Sequence, residues 1–266
     1  KERGDDADDI AASEVLDARL NLAYKYLDWE EYQKAEDTFA KLIEEAQSNK
    51  FKEVLQENAI DTLRSKMNVA KSRQLIGVVD KQDERRELLK KALNQDRSNI
   101  DILIELYNLP GNSDEFKKEI NTRIEYRVSE YQKRIDAYSA SYNVERYGST
   151  RQELYMAYNE YAWLVSNTTG DFEKALEYSK RSLDLYPNSP DYLDTLARCY
   201  YANGQYDVAV IHQRKAAKAR KSMGQVQRQL DLFEQAYAEE LAKEATIQPS
   251  PNGNQNRADV EVDSES

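Results

Sequence analysis

The chain has 266 residues and a formal net charge of −11, with 40% hydrophobic and 33% charged residues but only 8 glycines and 5 prolines. This balance favours long, solvated helices over sheets and tight turns. An acidic chain also lacks the positive electrostatic field that attracts nucleic acid or anionic lipid. No stretch approaches the roughly 20 apolar residues that cross a bilayer, so the sequence predicts no membrane insertion.

Both ends of the chain predict disordered acidic tails. Residues 1–10 hold five acidic and two basic residues, and residues 246–266 hold four acidic residues and one basic residue. Neither segment has the apolar periodicity of a helix that packs against others. The chain begins at Lys1 rather than at methionine, which leads us to expect a preceding signal peptide or domain. The compartment, cytoplasmic or periplasmic, stays open.

Residues 11–50 predict an N-terminal helical hairpin. Apolar side chains recur at three- and four-residue steps through Ala12–Leu27 and again through Glu31–Gln47. Residues 28–30 form the turn between the two helices. The hairpin therefore has one apolar stripe on each helix.

Residues 51–148 predict degenerate helical hairpins. Helices at 51–75 and 82–93 precede a short apolar helix that Pro110 stops, and Ser113 then caps a long helix near 114–142. The apolar stripe of this long helix consists of Phe116, Ile120, Ile124, Val128, Tyr131, Ile135 and Tyr138. The stripe keeps no strict heptad, which favours packing within the chain over a coiled-coil dimer seam.

Residues 149–222 contain the clearest pattern, a repeated pair of helices. The segment Gly170–Ala175 recurs as Gly204–Ala209, with the glycine, the aromatic residue and the alanine each displaced by 34 residues. The preceding helix repeats as well, because Tyr158–Ala162 matches Leu193–Ala197 at a displacement of 35 residues. A fixed period of this length indicates an array of two-helix units.

These units resemble the tetratricopeptide repeats of bacterial proteins, most clearly over residues 155–243. The segments Asn159–Asp171 and Tyr192–Tyr201 have sequences typical of these repeats. Each such unit buries its apolar stripe only against its neighbours. The resemblance implies an all-α, right-handed superhelical solenoid of helical hairpins, with residues 223–245 as a C-terminal capping helix. It also implies a protein or peptide partner held on the concave face, without catalysis or cofactor.

The resemblance places partner-binding side chains on the first helix of each unit, which lines the concave face. The implied positions are Leu20, Tyr24, Asn159, Trp163, Asp194, Arg198 and Tyr201. Two alternatives stay open: Trp163 packs in the core, or Asp194 and Arg198 pair with each other across one helical turn. Repeats that grip the carboxylate of heat-shock chaperones use Lys and Asn where Leu20 and Tyr24 stand, which argues against that ligand.

The sequence offers no convincing set of catalytic or metal-binding residues. His212 is the only histidine and has no partner at metal-ligand spacing, and the single cysteine, Cys199, lies among apolar residues. Glycines are scattered at turns rather than gathered in a phosphate-binding loop. The sequence therefore predicts a non-enzymatic interaction scaffold. A self-assembling helical protein and an accessory domain of a larger exported protein or enzyme remain alternatives, and the oligomeric state is not determined.

Overall fold

The structure, a computed structural model, describes residues 2–47, 57–144, 148–221 and 223–247. These residues form eleven α-helices and one short 3-10 turn, with no strand among them. The helices are α1 (Glu2–Asp28), α2 (Tyr32–Gln47), α3 (Glu57–Gln74), α4 (Gln82–Gln95), α5 (Ile100–Tyr107), α6 (Asp114–Val144), α7 (Ser149–Asn167), α8 (Phe172–Leu185), α9 (Pro190–Ala202), α10 (Tyr206–Ala219) and α11 (Gly224–Ile247). Each helix packs against the next along the chain. The predicted all-α solenoid of hairpins is confirmed.

The helix bounds differ from the sequence-based ones mainly at the N-terminus. Helix α1 begins at Glu2, so residues 2–10, predicted to be a disordered tail, continue the first helix. Acidic residues near a helix N-terminus are stabilised by the helix dipole, a factor that composition alone does not capture. Helix α11 ends at Ile247, and residues 248–266 of the predicted C-terminal tail lie outside the described residues, as does the predicted helix start at Phe51.

Local chemistry sets several of the helix ends. The Asp171 carboxylate accepts a hydrogen bond from the backbone N–H of Lys174 at 2.9 Å and so caps α8. The Ser113 hydroxyl accepts one from the backbone N–H of Phe116 at 3.2 Å at the start of α6. Helix α9 begins with Pro190. Proline is favourable here because the backbone N–H that it lacks would have no acceptor within the helix at this first position.

Fully buried alanines lie where neighbouring helices of the repeats pack together. Ala162, Ala175, Ala197 and Ala209, one on each of α7 to α10, are all 0% exposed. Between α7, α8 and α9, the Sγ of Cys199 lies 3.8 Å from the carbonyl oxygen of Ala162 and 3.7 Å from that of Ala175. Only small side chains allow three helices to meet at these distances. The alanines of the repeated sequence segments are therefore the positions at which the units stack.

The long helix α6 is covered by other helices of the same chain. Four residues of its apolar stripe are buried, and the remaining three pack against the same core: Ile120, Ile124, Tyr131 and Ile135 are buried, and Phe116, Val128 and Tyr138 are partly buried. Helix α6 packs against both α5 and α7. Its stripe is thus an intramolecular packing surface.

The end of α1 contacts the beginning of α11. The Asp28 carboxylate accepts hydrogen bonds from the backbone N–H groups of Gly224, at 2.9 Å, and Gln225, at 3.0 Å. Arg228 donates to the carbonyl oxygen of Asp28 at 3.2 Å, and its Nε lies 3.0 Å from a carboxylate oxygen of Glu30. We call these five residues the end clasp. It joins the first and last hairpin turns across almost 200 residues of sequence, since Asp28 and Gln225 are 197 residues apart.

We expect Asp28→Ala to weaken the end clasp. The substitution removes an N-cap carboxylate, which contributes about 1 kcal/mol, so the backbone amides of residues 224–228 should exchange faster in hydrogen–deuterium exchange. Gly224→Ala should act in the same direction, because a Cβ there would lie 2.8 Å from the carbonyl oxygen of Asp28. Asp231→Ala, an exposed carboxylate on the same helix, is the control. Equal protection of these amides in all three variants would contradict the contact.

Candidate partner-binding surface

Helices α7 and α9 are the first helices of the two clear repeats, and they pack directly against each other. Asn159 and Trp163 lie one turn apart on α7, and Asp194 and Arg198 lie one turn apart on α9, so each pair shares one face of its helix. These four residues and Tyr201 are all partly exposed. We call the five residues the α7–α9 surface.

The two repeats also share the geometry of their turns. Gly170 and Gly204, which follow the first helices, have φ angles of 135° and 72°, a region that favours glycine. Phe172 and Tyr206 then begin the second helices. The matching turns and the buried alanines show that the two repeated sequence segments also have the same local structure. The fold is tetratricopeptide-like.

Comparisons with solved structures returned tetratricopeptide-repeat proteins. The P58(IPK) TPR domain is 12% identical, with a TM-score of 0.34, and the match covers 88% of this chain and 80% of that one. The RpL4 assembly chaperone Acl4 is 12% identical, with a TM-score of 0.32 and coverage of 88% and 92%. MamA is 15% identical, with a TM-score of 0.26 and coverage of 79% and 93%. Sequence identities and TM-scores this low support no conclusion about function. The description of the fold as tetratricopeptide-like therefore rests on the repeats in this chain.

Comparisons with family models and with curated proteins returned no match.

Trp163 is partly exposed and hydrogen-bonded across two helices. Its indole N–H donates to a carboxylate oxygen of Asp101 on α5 at 2.8 Å. The ring is not among the buried core residues, so the structure does not place it as a fully packed core side chain. It instead links α5 to α7 while leaving part of its surface open to solvent.

Asn159 carries an unsatisfied hydrogen-bond acceptor. Its side-chain Oδ1 is buried and has no hydrogen-bond partner among the described residues. A buried polar atom without a partner is costly, of the order of 1–3 kcal/mol. The oxygen lies one turn before Trp163 on α7, so a donor that reached it would also pass close to the Trp163 side chain.

Asp194 is bonded to two glutamines of the following helices. The amide of Gln213 on α10 donates to its carboxylate, and that of Gln229 on α11 donates at 3.2 Å. Burial raises the pKa of the Asp194 carboxyl to about 6, the hydrogen bond from Gln213 lowers it, and the Asp191 carboxylate raises it further. Asp194 thereby ties α9 to the two helices that follow it.

Arg198 and Tyr201 complete the surface on α9. The Nε of Arg198 donates to the carbonyl oxygen of Ser166 on α7 at 3.1 Å, and its guanidinium lies 5.0 Å from the centre of the Tyr201 ring. Burial lowers the pKa of Arg198. Tyr201 stacks on Phe233 of α11 with ring centres 4.6 Å apart. Arg198 and Asp194 therefore take separate partners, and the pairing between them that their spacing allowed is not made.

Leu20 and Tyr24 lie apart from the α7–α9 surface. Both are on α1, where Leu20 packs against the core formed by the first three helices. Tyr24 is 38% exposed and meets the ring of Phe39 edge-on, with ring centres 5.8 Å apart. No described contact of either residue reaches α7 or α9. Five of the seven predicted positions thus lie on the two packed helices α7 and α9, and the other two lie on α1.

Three side chains that support this surface were not identified from the sequence: Asp101, Gln213 and Gln229. Gln213 is 0% exposed, and it lies between Val210 and Ala216 on the apolar stripe of α10. A polar residue on an apolar stripe is a signal that sequence reasoning can use. Asp101 gives no such signal, because its partner Trp163 is 62 residues away.

Over the described residues, no group of His, Cys, Asp or Glu side chains is arranged to hold a metal ion. None of the described helices has the length and apolarity of a membrane span. His212, expected at the surface, stacks on Tyr200 with ring centres 5.3 Å apart. Burial lowers the pKa of its imidazole, and the nearby Lys215 lowers it further.

The hydrogen bond between Trp163 and Asp101 should be measurable by a double-mutant cycle. We expect Trp163→Phe and Asp101→Ala to show a coupling of about 1 kcal/mol in urea unfolding, because each removes one partner of the bond. Trp29→Phe is the matched control, since no hydrogen bond of the Trp29 indole is present among the described residues. Fully additive effects of the two substitutions would contradict a direct bond.

The raised pKa of Asp194 predicts a specific pH dependence. The Asp194 carboxyl has a pKa of about 6 in the folded state, against 3.8 in the unfolded chain, so between these pH values the folded state binds the proton more tightly. The contribution of Asp194 to the unfolding free energy therefore falls as the pH rises from about 4 to about 6, and is constant above that. Asp194→Asn should remove this fall while keeping an oxygen that accepts from the glutamines. The variant should gain about 1–3 kcal/mol relative to the wild type on going from about pH 4 to about pH 7.5. Asp231→Asn should show no such gain, and a flat difference for Asp194→Asn would refute the assignment.

Proposed function

We propose that this protein is a non-catalytic interaction scaffold that binds a peptide or a partner helix on the α7–α9 surface. The observation that supports this most directly is the buried, unpartnered Oδ1 of Asn159. Asn159 as a whole is partly exposed, so a rotation of its side chain would bring this oxygen to a donor of a bound chain, which would remove its cost. A scaffold of this kind uses the exposed faces of its first helices for recognition.

The composition of the α7–α9 surface also fits recognition. Trp, Tyr and Arg are the residues that most often contribute large shares of binding energy at interfaces. The α7–α9 surface contains Trp163 on α7 and, on α9, Arg198 with its guanidinium 5.0 Å from the centre of the Tyr201 ring. Trp163 is fixed by Asp101 and Arg198 by Ser166. Side chains that are already held in place lose less entropy when a partner binds.

The titratable groups near the surface support binding over chemistry. The Asp194 carboxylate already accepts from two glutamines. Burial raises the pKa of the Cys199 thiol to about 12, so it is not a thiolate at neutral pH. The apolar stripe of α6 is covered by other helices of the same chain. Self-assembly through this stripe would need the stripe to be exposed, so this alternative is disfavoured.

The proposal predicts loss of binding in surface variants. Proteins captured from a native lysate by the full-length chain should be depleted by at least about fivefold with Asn159→Ala or Trp163→Ala, the effect of losing roughly 1 kcal/mol of binding. Quantitative mass spectrometry of the captured proteins is the measurement.

Two controls keep the result interpretable. Trp29→Ala removes the same side chain from an exposed position in the first turn and should leave the captured set unchanged. Asn159→Ala removes an acceptor that has no partner, so the unfolding free energy should not fall by more than about 0.5 kcal/mol. Capture of the same proteins in the same amounts by both surface variants would refute the proposal.

A further inference from the structure

A cavity of about 380 Å³ lies between the start of α5 and the middle of α6. Leu93, Ile100 and Leu103 form its apolar floor, and these residues belong to or pack against the main core. Thr122 and Tyr126 of α6 line one side. The volume is within the range of sites that bind ligands in proteins.

The cavity follows from the unequal lengths of the two helices. Helix α5 has only 8 residues, whereas its neighbour α6 has 31. The middle of α6 therefore faces the turn before α5, which includes Arg97 and Asn99, instead of another row of helical side chains. A turn does not fill the space that a helix would, so the apolar floor stays accessible.

Arginines surround this apolar floor. Arg97, Arg123 and Arg127 line the cavity, and none of the described residues that line it is acidic. Arg123 pairs with Glu119 at 3.0 Å and Arg127 with Glu130 at 2.9 Å. Within the described part of the chain, no carboxylate forms an ion pair with Arg97. Arg97 therefore brings to the cavity a positive charge that no described carboxylate offsets, in a chain whose net charge is −11.

Contacts within α6 hold the cavity wall in place. The Tyr126 hydroxyl donates to a carboxylate oxygen of Glu130 at 2.8 Å, and the guanidinium of Arg127 lies 6.0 Å from the centre of the Tyr126 ring. The ring is 60% exposed, so it can contact a ligand without first breaking core packing. Arg127 also donates to the carbonyl oxygen of Arg97, which ties the turn to α6.

We propose that this cavity is a second binding site, and that it takes an acidic peptide segment in which one large apolar side chain is flanked by carboxylates. The apolar side chain fills the floor, and burial of such a side chain contributes favourable free energy. One flanking carboxylate pairs with the guanidinium of Arg97, and the other replaces Glu119 at the exposed guanidinium of Arg123. A guanidinium binds a carboxylate through two parallel hydrogen bonds.

The openness of the cavity favours a peptide over a free small molecule. Arg97, Thr122, Arg123 and Tyr126 are all exposed, so one side of the cavity faces solvent. Sites for free small ligands bury most of the ligand surface, whereas a peptide inserts one side chain and leaves its backbone outside. The site is also separate from the α7–α9 surface, since Asp101, which bonds Trp163, does not line it.

The test is a titration of the ¹⁵N-labelled full chain, followed by NMR, with a synthetic N-acetylated pentapeptide that has a central phenylalanine between pairs of glutamates. We expect chemical-shift changes that cluster at residues 97–103 and 122–127. A peptide with alanine in place of phenylalanine and a peptide with lysines in place of the glutamates should each bind at least about tenfold more weakly. No shift change at these residues up to about 5 mM peptide would overturn the proposal.

Protein variants locate the site independently. Arg97→Glu with Arg123→Glu should weaken pentapeptide binding at least about tenfold, and Thr122→Phe should do the same by filling the cavity. Lys91→Glu with Lys118→Glu, which makes the same charge change at exposed positions outside the cavity, should change the affinity by less than about twofold.

Two further outcomes separate this proposal from its alternatives. Trp163→Ala should leave pentapeptide binding unchanged, so failure of one site does not imply failure of the other. Decanoate is titrated in parallel, and shift changes at the cavity residues with decanoate but not with the pentapeptide would overturn the peptide assignment in favour of a free amphiphilic anion.

Discussion

The architecture depends on close helix contact at alanine. A two-helix unit has an apolar stripe that it cannot bury alone, and each stripe is buried only if neighbouring helices come near enough to exclude water from it. Ala162, Ala175, Ala197 and Ala209 permit this approach because they add almost no volume between helices. Cys199 occupies the remaining space between three helices. Any larger side chain at these points would separate the units and expose the core.

The same stacking limits how a partner meets this chain. In an open array, the first and last helices expose faces that a neighbouring unit would cover. Here the end clasp connects the two terminal turns through the Asp28 carboxylate and the N-terminus of α11. A carboxylate at a helix N-terminus satisfies amides that have no partner within the helix. The clasp therefore holds the turn after α1 against the start of α11.

Polar contacts between helices hold three side chains of the α7–α9 surface. Each is bonded to a different helix: Trp163 to α5, Asp194 to α10 and α11, and Arg198 to α7. These bonds fix the side chains and use part of their hydrogen-bonding capacity. Asn159 differs, because its side-chain Oδ1 has no such bond. The surface thus combines fixed aromatic and charged groups with one buried acceptor that has no partner among the described residues.

The sequence by itself determined the helical class, the two clear repeats and their alanine contacts, because hydrophobic periodicity and small residues at a fixed spacing are local properties. It also placed Asn159 and Trp163 on one face of α7. It did not identify the partners Asp101 and Gln213, the end clasp, or the cavity beside α6. These features join residues that are far apart in the chain, from 19 residues for Asp194 and Gln213 to 197 for the clasp. Periodicity gives the face of a helix, but the curvature of the whole stack decides which faces meet, and only the tertiary structure contains that information.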